Sequence, residues 1–177
     1  MSVLVKGGTV IDPVQGLNGV LDVALRDGKV VEVGSSISAN SSEEVFDASG
    51  LIVVPGLIDL HVHAFWGGST YGIDPDVSSL SKGVTTVLDA GSAGAWNFPS
   101  FRSHIINKNR TSIYALLNIS TTGMVFRNDG ELHDLRWLDL NHTVEQGLQN
   151  KDCILGIKAR LGRVQSGKND KEALKIS

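Results

Sequence analysis

The chain has 177 residues, of which 41% are hydrophobic and 20% charged, and 16 basic against 19 acidic side chains give a formal net charge of -3. These values are typical of a soluble globular protein that is long enough to bury a core. The balance of charge provides no basic stripe for phosphate groups, so no nucleic-acid partner is predicted. The longest apolar runs fall far short of the roughly 20 residues of a membrane span, so no membrane partner is predicted.

The cysteine content and the start of the chain indicate the cellular compartment in which the protein is expected. The single cysteine, Cys153, excludes an intramolecular disulfide. The opening run MSVLVKGGTV has neither a charged leader nor a long apolar segment. Together these features predict a reduced, cytoplasmic environment.

Residues 1–54 predict a small β-rich domain. Asp27-Gly28 is typical of a two-residue hairpin turn, and alternating apolar residues flank it on both sides. The segment is expected to form a small antiparallel sheet or β-sandwich. The predicted strands, rich in Val, Ile and Leu, are 3–6, 9–11, 21–25, 29–33 and 44–46.

The pattern changes at Pro55-Gly56, and residues 55–177 predict an α/β domain. Apolar strands alternate with helix-length segments, which favours a parallel sheet with about four β/α units. The predicted strands are 57–61, 85–89, 112–119 and 153–158, and the predicted helices are 75–82, 97–107, 143–149 and 169–176. A closed (β/α)8 barrel needs roughly 200 residues or more, so this domain fits the first half of one. The chain stops within a helical pattern, KEALKIS, which indicates a truncated chain or, alternatively, a genuinely small protein.

Two histidines lie at the end of the first predicted strand of the second domain. His61 and His63 lie in GLIDLHVHA, and alternate residues of a strand point to the same side. Two imidazoles at about 2.0–2.1 Å from an ion make half of a zinc site. The spacing alone also fits an ordinary pair of hydrogen-bonded histidines at a strand end.

Longer motifs around these histidines resemble a known family. The run VVPGLIDLHVHAFWGGSTYGIDPD, preceded by a β-rich segment ending in DASG and followed by VLDAGSAG and ILGIKAR, resembles the amidohydrolase superfamily of metal-dependent hydrolases. Its dihydroorotase-like and deacetylase branch is the most similar. The resemblance implies an N-terminal segment of a composite β-sandwich, followed by the first half of a metal-bearing (β/α)8 TIM-type barrel.

The resemblance also implies a set of metal ligands. His61 and His63 would bind the more buried metal ion, and Lys158 in ILGIKAR would be carboxylated and bridge two zinc ions. An ammonium cannot ligate a cation, whereas a carbamate offers two oxygens and a negative charge. Arg160, two residues further along the chain, could hold a substrate carboxylate or stabilise oxyanion charge, or it could be an exposed loop arginine.

Several other polar and aromatic residues receive no catalytic role. Asp89 and Ser92 follow the second strand of the domain, where a tight turn explains them almost as well as a site does. Asp59 is interpreted as a polar strand residue. Residues 65–68 form either a pocket wall or core packing, and three further histidines are interpreted as surface residues: His104, His133 and His142.

The predicted function is that of the N-terminal part of a zinc-dependent amidohydrolase or deacetylase. It would hydrolyse an amide or ester bond of a small acyl substrate with metal-activated water. Ala64-Phe65 replaces the basic or polar residue usual in dihydroorotases, which disfavours a cyclic ureide. Since the remaining ligands and the general base lie outside the chain, the isolated chain is expected to be inactive.

Two alternatives remain open at this stage. One is a non-catalytic amidohydrolase-like scaffold or binding protein, and the other is a dihydroorotase-type cyclic amidase. A half barrel exposes strand edges and apolar faces, and self-association would cover them, so a homo-oligomer is expected.

Overall fold

The structure is a computed structural model that describes residues 2–41, 43–126 and 130–177. The chain forms two compact units, a first that ends at Pro55 and a second that runs from Gly56 to Ser177.

The first unit is a five-stranded mixed sheet. Its strands are β1 (Ser2–Asp12), β2 (Leu17–Arg26), β3 (Lys29–Gly34), β4 (Glu44–Asp47) and β5 (Ile52–Val53). The order is β3-β2-β1-β4, with β5 also paired to β1. The pairs β1–β2 and β2–β3 are antiparallel, whereas β4 and β5 run parallel to β1. The described residues thus form one mixed sheet rather than a wholly antiparallel one, because β4 and β5 both pair with β1 in the parallel direction.

Two glycine-containing turns explain the local shape of this sheet. The predicted hairpin is confirmed, since Asp27 and Gly28 both have positive φ angles, 50° and 75°. The two short strands predicted before residue 12 are a single strand with a bulge between Val5 and Gly8. Gly7 lies in that bulge at φ 69° and donates its backbone N–H to the Asp22 carboxylate at 2.9 Å. The side-chain acceptor replaces the lost strand partner, so β1 continues past the bulge.

The second unit contains a four-stranded parallel sheet. Its strands, β6 (Leu57–Val62), β7 (Val84–Asp89), β8 (Ser112–Asn118) and β9 (Ile154–Lys158), lie side by side in chain order. The helices are α1 (Pro75–Ser78), α2 (Phe98–Phe101), α3 (Leu140–Gln149), α4 (Arg163–Ser166) and α5 (Asp170–Ile176). A π-helical turn, Arg102–Ile106, extends α2, and 3-10 turns cover Leu80–Lys82 and Leu135–Trp137. Parallel strands joined through helical segments confirm the predicted α/β arrangement, although α4 was not predicted.

Local sequence explains where these helices begin. Asp74 accepts the backbone N–H of Asp76 and precedes a proline at the first position of α1. Asp139 accepts the backbone N–H of His142 in the same way at the start of α3. None of the helices within the described residues has the length and apolarity needed to cross a bilayer.

The core of the second unit joins α2 to the sheet. Phe98 and Phe101 are fully buried, and their rings meet edge to face at 6.0 Å. Phe65, from the loop after β6, packs its ring 4.8 Å from that of Phe101. This cluster holds the loop after β6 against the sheet, and it is completed by apolar residues from all four strands and the neighbouring loops, among them Val62, Val87, Ile113, Leu117 and Cys153.

The two outer strands of the parallel sheet carry exposed apolar residues. Among the described residues, β6 pairs only with β7 and β9 pairs only with β8. Ile58 and Leu60 on β6 are 63% and 70% exposed, and Leu155 and Ile157 on β9 are 60% and 45% exposed. Both edges of the sheet therefore present apolar surface that a further element or molecule could cover.

Candidate metal centre

The parallel sheet brings the candidate ligands to one edge. Val62 at the end of β6 pairs with Asp89 at the end of β7, and Asn118 at the end of β8 pairs with Lys158 at the end of β9. In parallel α/β folds, the carboxyl ends of the strands and the loops that follow them carry the functional groups. His61, His63 and Lys158 all lie at this end of the second unit.

The two histidines of the first strand stand close together. Their ring centroids are 5.7 Å apart, and the ring planes are nearly perpendicular, at 86°. His61 is exposed and His63 is half-buried. The Asp59 carboxylate accepts the backbone N–H of His61 at 3.0 Å, so it supports the strand end locally.

The imidazole of His63 contacts Ser92 on one side, and its burial favours the neutral form. Its Nδ1 lies 3.0 Å from the Ser92 hydroxyl oxygen. Burial lowers the pKa of His63; the Asp89 carboxylate opposes this shift, and the nearby His61, Arg160 and Lys158 side chains reinforce it. Neutral imidazole is the form that ligates a metal ion, and the contact with Ser92 leaves Nε2 for that task.

Asp89 organises the loop that follows β7. Its carboxylate is fully buried and accepts three backbone N–H groups, from Ala64 at 2.6 Å, Gly91 at 3.0 Å and Ser92 at 2.7 Å. Burial raises the pKa of Asp89, while hydrogen bonds from Ser92 and Ala64 act in the opposite direction. One carboxylate therefore ties the loop after β6 to the loop after β7.

The same loop touches Lys158. A Cβ atom added to Gly91 would lie 2.5 Å from the Lys158 Cγ and 2.6 Å from its Cβ, and Gly91 has a φ of +89°. The Gly91 carbonyl accepts a hydrogen bond from the Asn118 side-chain amide at 3.0 Å. Gly91 thus allows the aliphatic stem of Lys158 to lie directly on the loop whose next residue, Ser92, contacts His63.

Arg160 is paired with a residue that the sequence did not reveal. Its Nε donates to Glu131 Oε1 at 2.6 Å, and its Nη2 donates to Oε2 at 2.7 Å. Glu131 is buried, and hydrogen bonding to it raises the pKa of Arg160. The two residues are 29 positions apart in a region without a recognisable motif, so only the folded chain brings them together. This pair occupies one side of the guanidinium and leaves Nη1 for another acceptor.

The remaining candidates fall into the core or onto the surface. Ala64 and Phe65 are buried, and Phe65 packs in the core, whereas Trp66 is exposed. His104 and His133 are exposed, as predicted for surface residues. His142 is half-buried, with its Nδ1 3.5 Å from a Glu145 carboxylate oxygen.

The donor chemistry of this end of the sheet fits part of a zinc site. No group of three or more His, Cys, Asp or Glu side chains within residues 2–41, 43–126 and 130–177 is arranged to hold a metal ion. Two imidazoles are present, and the third side chain nearby is Lys158, which gains donor oxygens only after carboxylation. The described residues therefore fit a site in which a modified lysine and further ligands complete the shell.

Comparison with known proteins places the chain in a family. A scan against protein-family models gives no match. A deacetylase of Agrobacterium fabrum is 41% identical over 142 residues, which covers 80% of this chain and 35% of the relative. A deacetylase of Enterococcus faecalis is 34% identical over 176 residues, covering 98% of this chain and 45% of the relative.

Structural similarity leads to the same family. A crystal structure of a dihydroorotase superimposes with a TM-score of 0.86 at 34% identity, covering 99% of this chain and 48% of that chain. The chain thus spans less than half the length of these relatives and matches their N-terminal portion. It belongs to the amidohydrolase superfamily, as the sequence motifs indicated.

Proposed function

We propose that this chain forms the N-terminal part of a zinc-dependent deacetylase that hydrolyses an amide or ester bond of a small acyl substrate. The observation that carries the proposal is the loop 89–92, which contacts His63 through Ser92 and Lys158 through Gly91. The names of the two curated relatives support the choice of a deacetylase.

Each candidate side chain has a distinct task in this proposal. His61 and His63 would hold one zinc ion, and Lys158 would join both ions after its amine has reacted with carbon dioxide to form a carbamate. When bound, a pair of zinc ions lowers the pKa of a water molecule and polarises the acyl carbonyl. Burial lowers the pKa of His63 and so favours the neutral imidazole, the form whose lone pair can bind a metal ion.

Arg160 would bind the substrate rather than the metal. Glu131 compensates its charge and fixes the plane of the guanidinium through two hydrogen bonds. The remaining Nη1 could donate to a substrate oxygen, where negative charge develops during hydrolysis. Because Glu131 already balances the positive charge, a neutral acyl group fits this position better than a free carboxylate does.

The loop after β6 bears on the class of substrate. Ala64 and Phe65 occupy the place where dihydroorotase-like sequences carry a basic or polar residue, and both are buried. Side chains packed in the core offer no hydrogen bond to a cyclic ureide, which favours an open-chain acyl substrate. Hydrolysis of a cyclic amide remains the second candidate, because the solved structure that superimposes with a TM-score of 0.86 is a dihydroorotase.

The proposed assembly follows from the open edges of the parallel sheet. In the isolated chain, the apolar residues on β6 and β9 favour association with another copy of the chain, whereas in a longer protein the remainder of the proposed barrel would cover them. Sedimentation velocity tests this point: a dimer or larger species is expected, and a stable monomer at all concentrations would refute it. The lone, buried Cys153 supports a reducing, cytoplasmic setting.

Complementation tests the enzymatic proposal. The chain is mixed with zinc and with the separately produced C-terminal remainder of the Agrobacterium fabrum deacetylase, and acetate release from N-acetyl and O-acetyl compounds is measured. Turnover is expected in the mixture and is not expected for either piece alone. The His63→Ala chain is the matched negative variant, and His104→Ala is the control on an exposed histidine. Equal turnover with His63→Ala would refute the role of His63, and turnover of dihydroorotate alone would favour the second candidate.

A non-catalytic scaffold is the other outcome of this experiment. It would be supported if the wild-type chain bound no zinc at neutral pH and the mixture released no acetate. The deacetylase proposal would then be withdrawn.

A further inference from the structure

Three aromatic side chains meet on the loops that follow two strands of the parallel sheet. The Trp137 ring lies 5.6 Å from the Trp96 ring, edge to face at 85°, and 6.4 Å from the Phe126 ring. Trp96 follows β7, whereas Phe126 and Trp137 follow β8. Trp96 is 56% exposed and Phe126 is 40% exposed in the part of the chain that the structure describes. These three rings, the aromatic cluster, therefore present an apolar surface to solvent.

Backbone hydrogen bonds fix the two tryptophans against each other. Thr121, fully buried after β8, donates its backbone N–H to the Trp137 carbonyl at 2.8 Å and its hydroxyl to the same oxygen at 2.9 Å. The Thr121 carbonyl accepts the backbone N–H of Trp96 at 2.9 Å. Trp96 and Trp137 are far apart in the sequence, so only the folded chain brings them together. The exposed rings are held in place before any ligand binds.

The aromatic cluster borders the candidate metal centre. The Thr70 hydroxyl donates to the Val125 carbonyl at 3.0 Å, which joins the loop after β6 to the segment that carries the aromatic cluster. Tyr71, the next residue of the loop after β6, is 52% exposed, and its ring centroid lies 6.1 Å from that of His63. The Ile73 backbone N–H donates to the His63 carbonyl at 2.8 Å, so this loop folds back onto the strand end. An aromatic surface thus continues from the candidate metal centre to the aromatic cluster.

The chemistry of these side chains identifies the kind of group that fits beside them. Aromatic rings pack edge to face or offset against other flat apolar groups. Exposed apolar surface next to a few polar groups is typical of a ligand site. The rings also follow the carboxyl ends of parallel strands, where α/β enzymes bind their substrates. An acyl compound without a ring would leave the indole surfaces in contact with water.

We propose that Tyr71 and the aromatic cluster line a subsite for a flat apolar group, so that the acyl substrate carries an aromatic ring. The inference rests on the proposed function for the reaction that this substrate undergoes. Binding of the aromatic group itself requires neither zinc nor turnover, so the two proposals can fail separately. A small acyl compound is the chosen occupant because the surface begins beside the His63 ring.

Substitutions on exposed rings test the subsite without disturbing the core. Trp96→Ala removes an exposed ring and leaves the backbone N–H that Thr121 accepts, so the fold is expected to persist. Trp96→Phe retains a flat ring at the same position. Trp66→Ala is the matched control, because Trp66 is 61% exposed but lines a separate cavity with His104 and Lys108.

Binding is measured with the chain alone, by titration and by NMR of the indole N–H groups. The amides of N-acetylphenylalanine and N-acetylalanine are neutral and differ by one phenyl group. We expect the wild type to bind the phenyl compound about tenfold more tightly, the order of magnitude that a ring contact supplies, with shifts of the Trp96 and Trp137 signals but not of the Trp66 signal. Trp96→Ala and Tyr71→Ala should each lose most of this preference, whereas Trp96→Phe and Trp66→Ala should retain it. Equal binding of the two compounds by the wild type, or an unchanged preference in both alanine variants of the subsite, would overturn the proposal.

Kinetics in the complementation mixture separate this proposal from the proposed function. Trp96→Ala should raise KM for the phenyl compound about tenfold with little change in kcat, because the ring binds the ground state and the transition state alike. If the phenyl compound binds at the two tryptophans but the mixture releases no acetate, the subsite stands and the deacetylase proposal fails. Hydrolysis of both compounds with equal kcat/KM would overturn the subsite. The subsite would also be refuted if the added C-terminal piece shifted both indole signals and displaced the phenyl compound, since the aromatic cluster would then be an internal contact of a longer protein.

Discussion

Replacing Gly91 with alanine probes the contact between the loop after β7 and Lys158. Gly91 has a φ of +89°, a conformation that costs an L-residue about 1–2 kcal/mol. The new Cβ would also lie 2.5 Å from the Lys158 Cγ and 2.6 Å from its Cβ. Both atoms are close to the backbone of β9, so they cannot move aside as the tip of a flexible side chain could.

Substitution of a second glycine separates the conformational cost of a positive φ from the cost of atomic overlap. Forced overlap in a packed region costs about 1–3 kcal/mol, so Gly91→Ala is expected to lower the free energy of unfolding by about 2–5 kcal/mol. Gly83, in the same unit, has a φ of +83°, and a Cβ there would meet nothing within 4 Å. Gly83→Ala should therefore cost only the conformational contribution, about 1–2 kcal/mol.

Urea unfolding of the variants measures the difference. In a double-mutant cycle, adding Lys158→Gly to Gly91→Ala should restore about 1–3 kcal/mol of the free energy of unfolding lost through overlap, because the second change removes both overlapping atoms. Equal costs for Gly91→Ala and Gly83→Ala, together with no coupling in the cycle, would show that Lys158 does not lie on the loop. The proposed arrangement of His63 and Lys158 around that loop would then be refuted.

Three further predictions concern stability. Phe98→Ala should lower the free energy of unfolding by about 3–5 kcal/mol, because the ring is fully buried; a loss below about 1 kcal/mol in urea unfolding would contradict this. Glu131→Gln should lower the free energy of unfolding by about 3 kcal/mol, because it leaves the Arg160 charge without its buried partner. An unchanged midpoint of urea unfolding would argue against this ion pair. Hydrogen bonds from the Asn40 backbone N–H, Arg26 and Ser2 lower the pKa of Glu43 from 4.5 to about 2. A depressed carboxyl pKa stabilises the fold above pH 4.5 and loses that contribution as the pH falls towards 2, so thermal melts of Glu43→Gln should be less sensitive to pH in this window than those of the wild type.

Local patterns were sufficient to predict most elements of the second unit. The strands of the parallel sheet are short, apolar and separated by segments of helical length, and each of these signals lies within a few neighbouring residues. The hairpin at Asp27-Gly28 was predictable for the same reason, since the two residues themselves adopt the required positive φ angles. By contrast, the parallel pairing of β4 with β1 depends on the path of a long connection, which no local pattern specifies.

The candidate site was predictable only where its residues form a motif. His61 and His63 share a strand end, so their proximity follows from the period of the strand. The partner of Arg160 could not be found in this way, because Glu131 is distant in sequence and carries no signal of its own. Ser92 was visible in the motif, but its contact with His63 depends on how β6 and β7 pair and on the turn that Asp89 closes.

Zinc binding by the ligand variants tests the proposed metal site most directly. Zinc is titrated into the chain in bicarbonate buffer, and its affinity is compared for the wild type, His61→Ala, His63→Ala and Lys158→Ala, with His104→Ala as the control on an exposed histidine. Each of the three site variants should bind zinc at least about tenfold more weakly than the wild type, while His104→Ala should bind it equally well. Wild-type affinity in both His61→Ala and His63→Ala would show that these imidazoles are not zinc ligands.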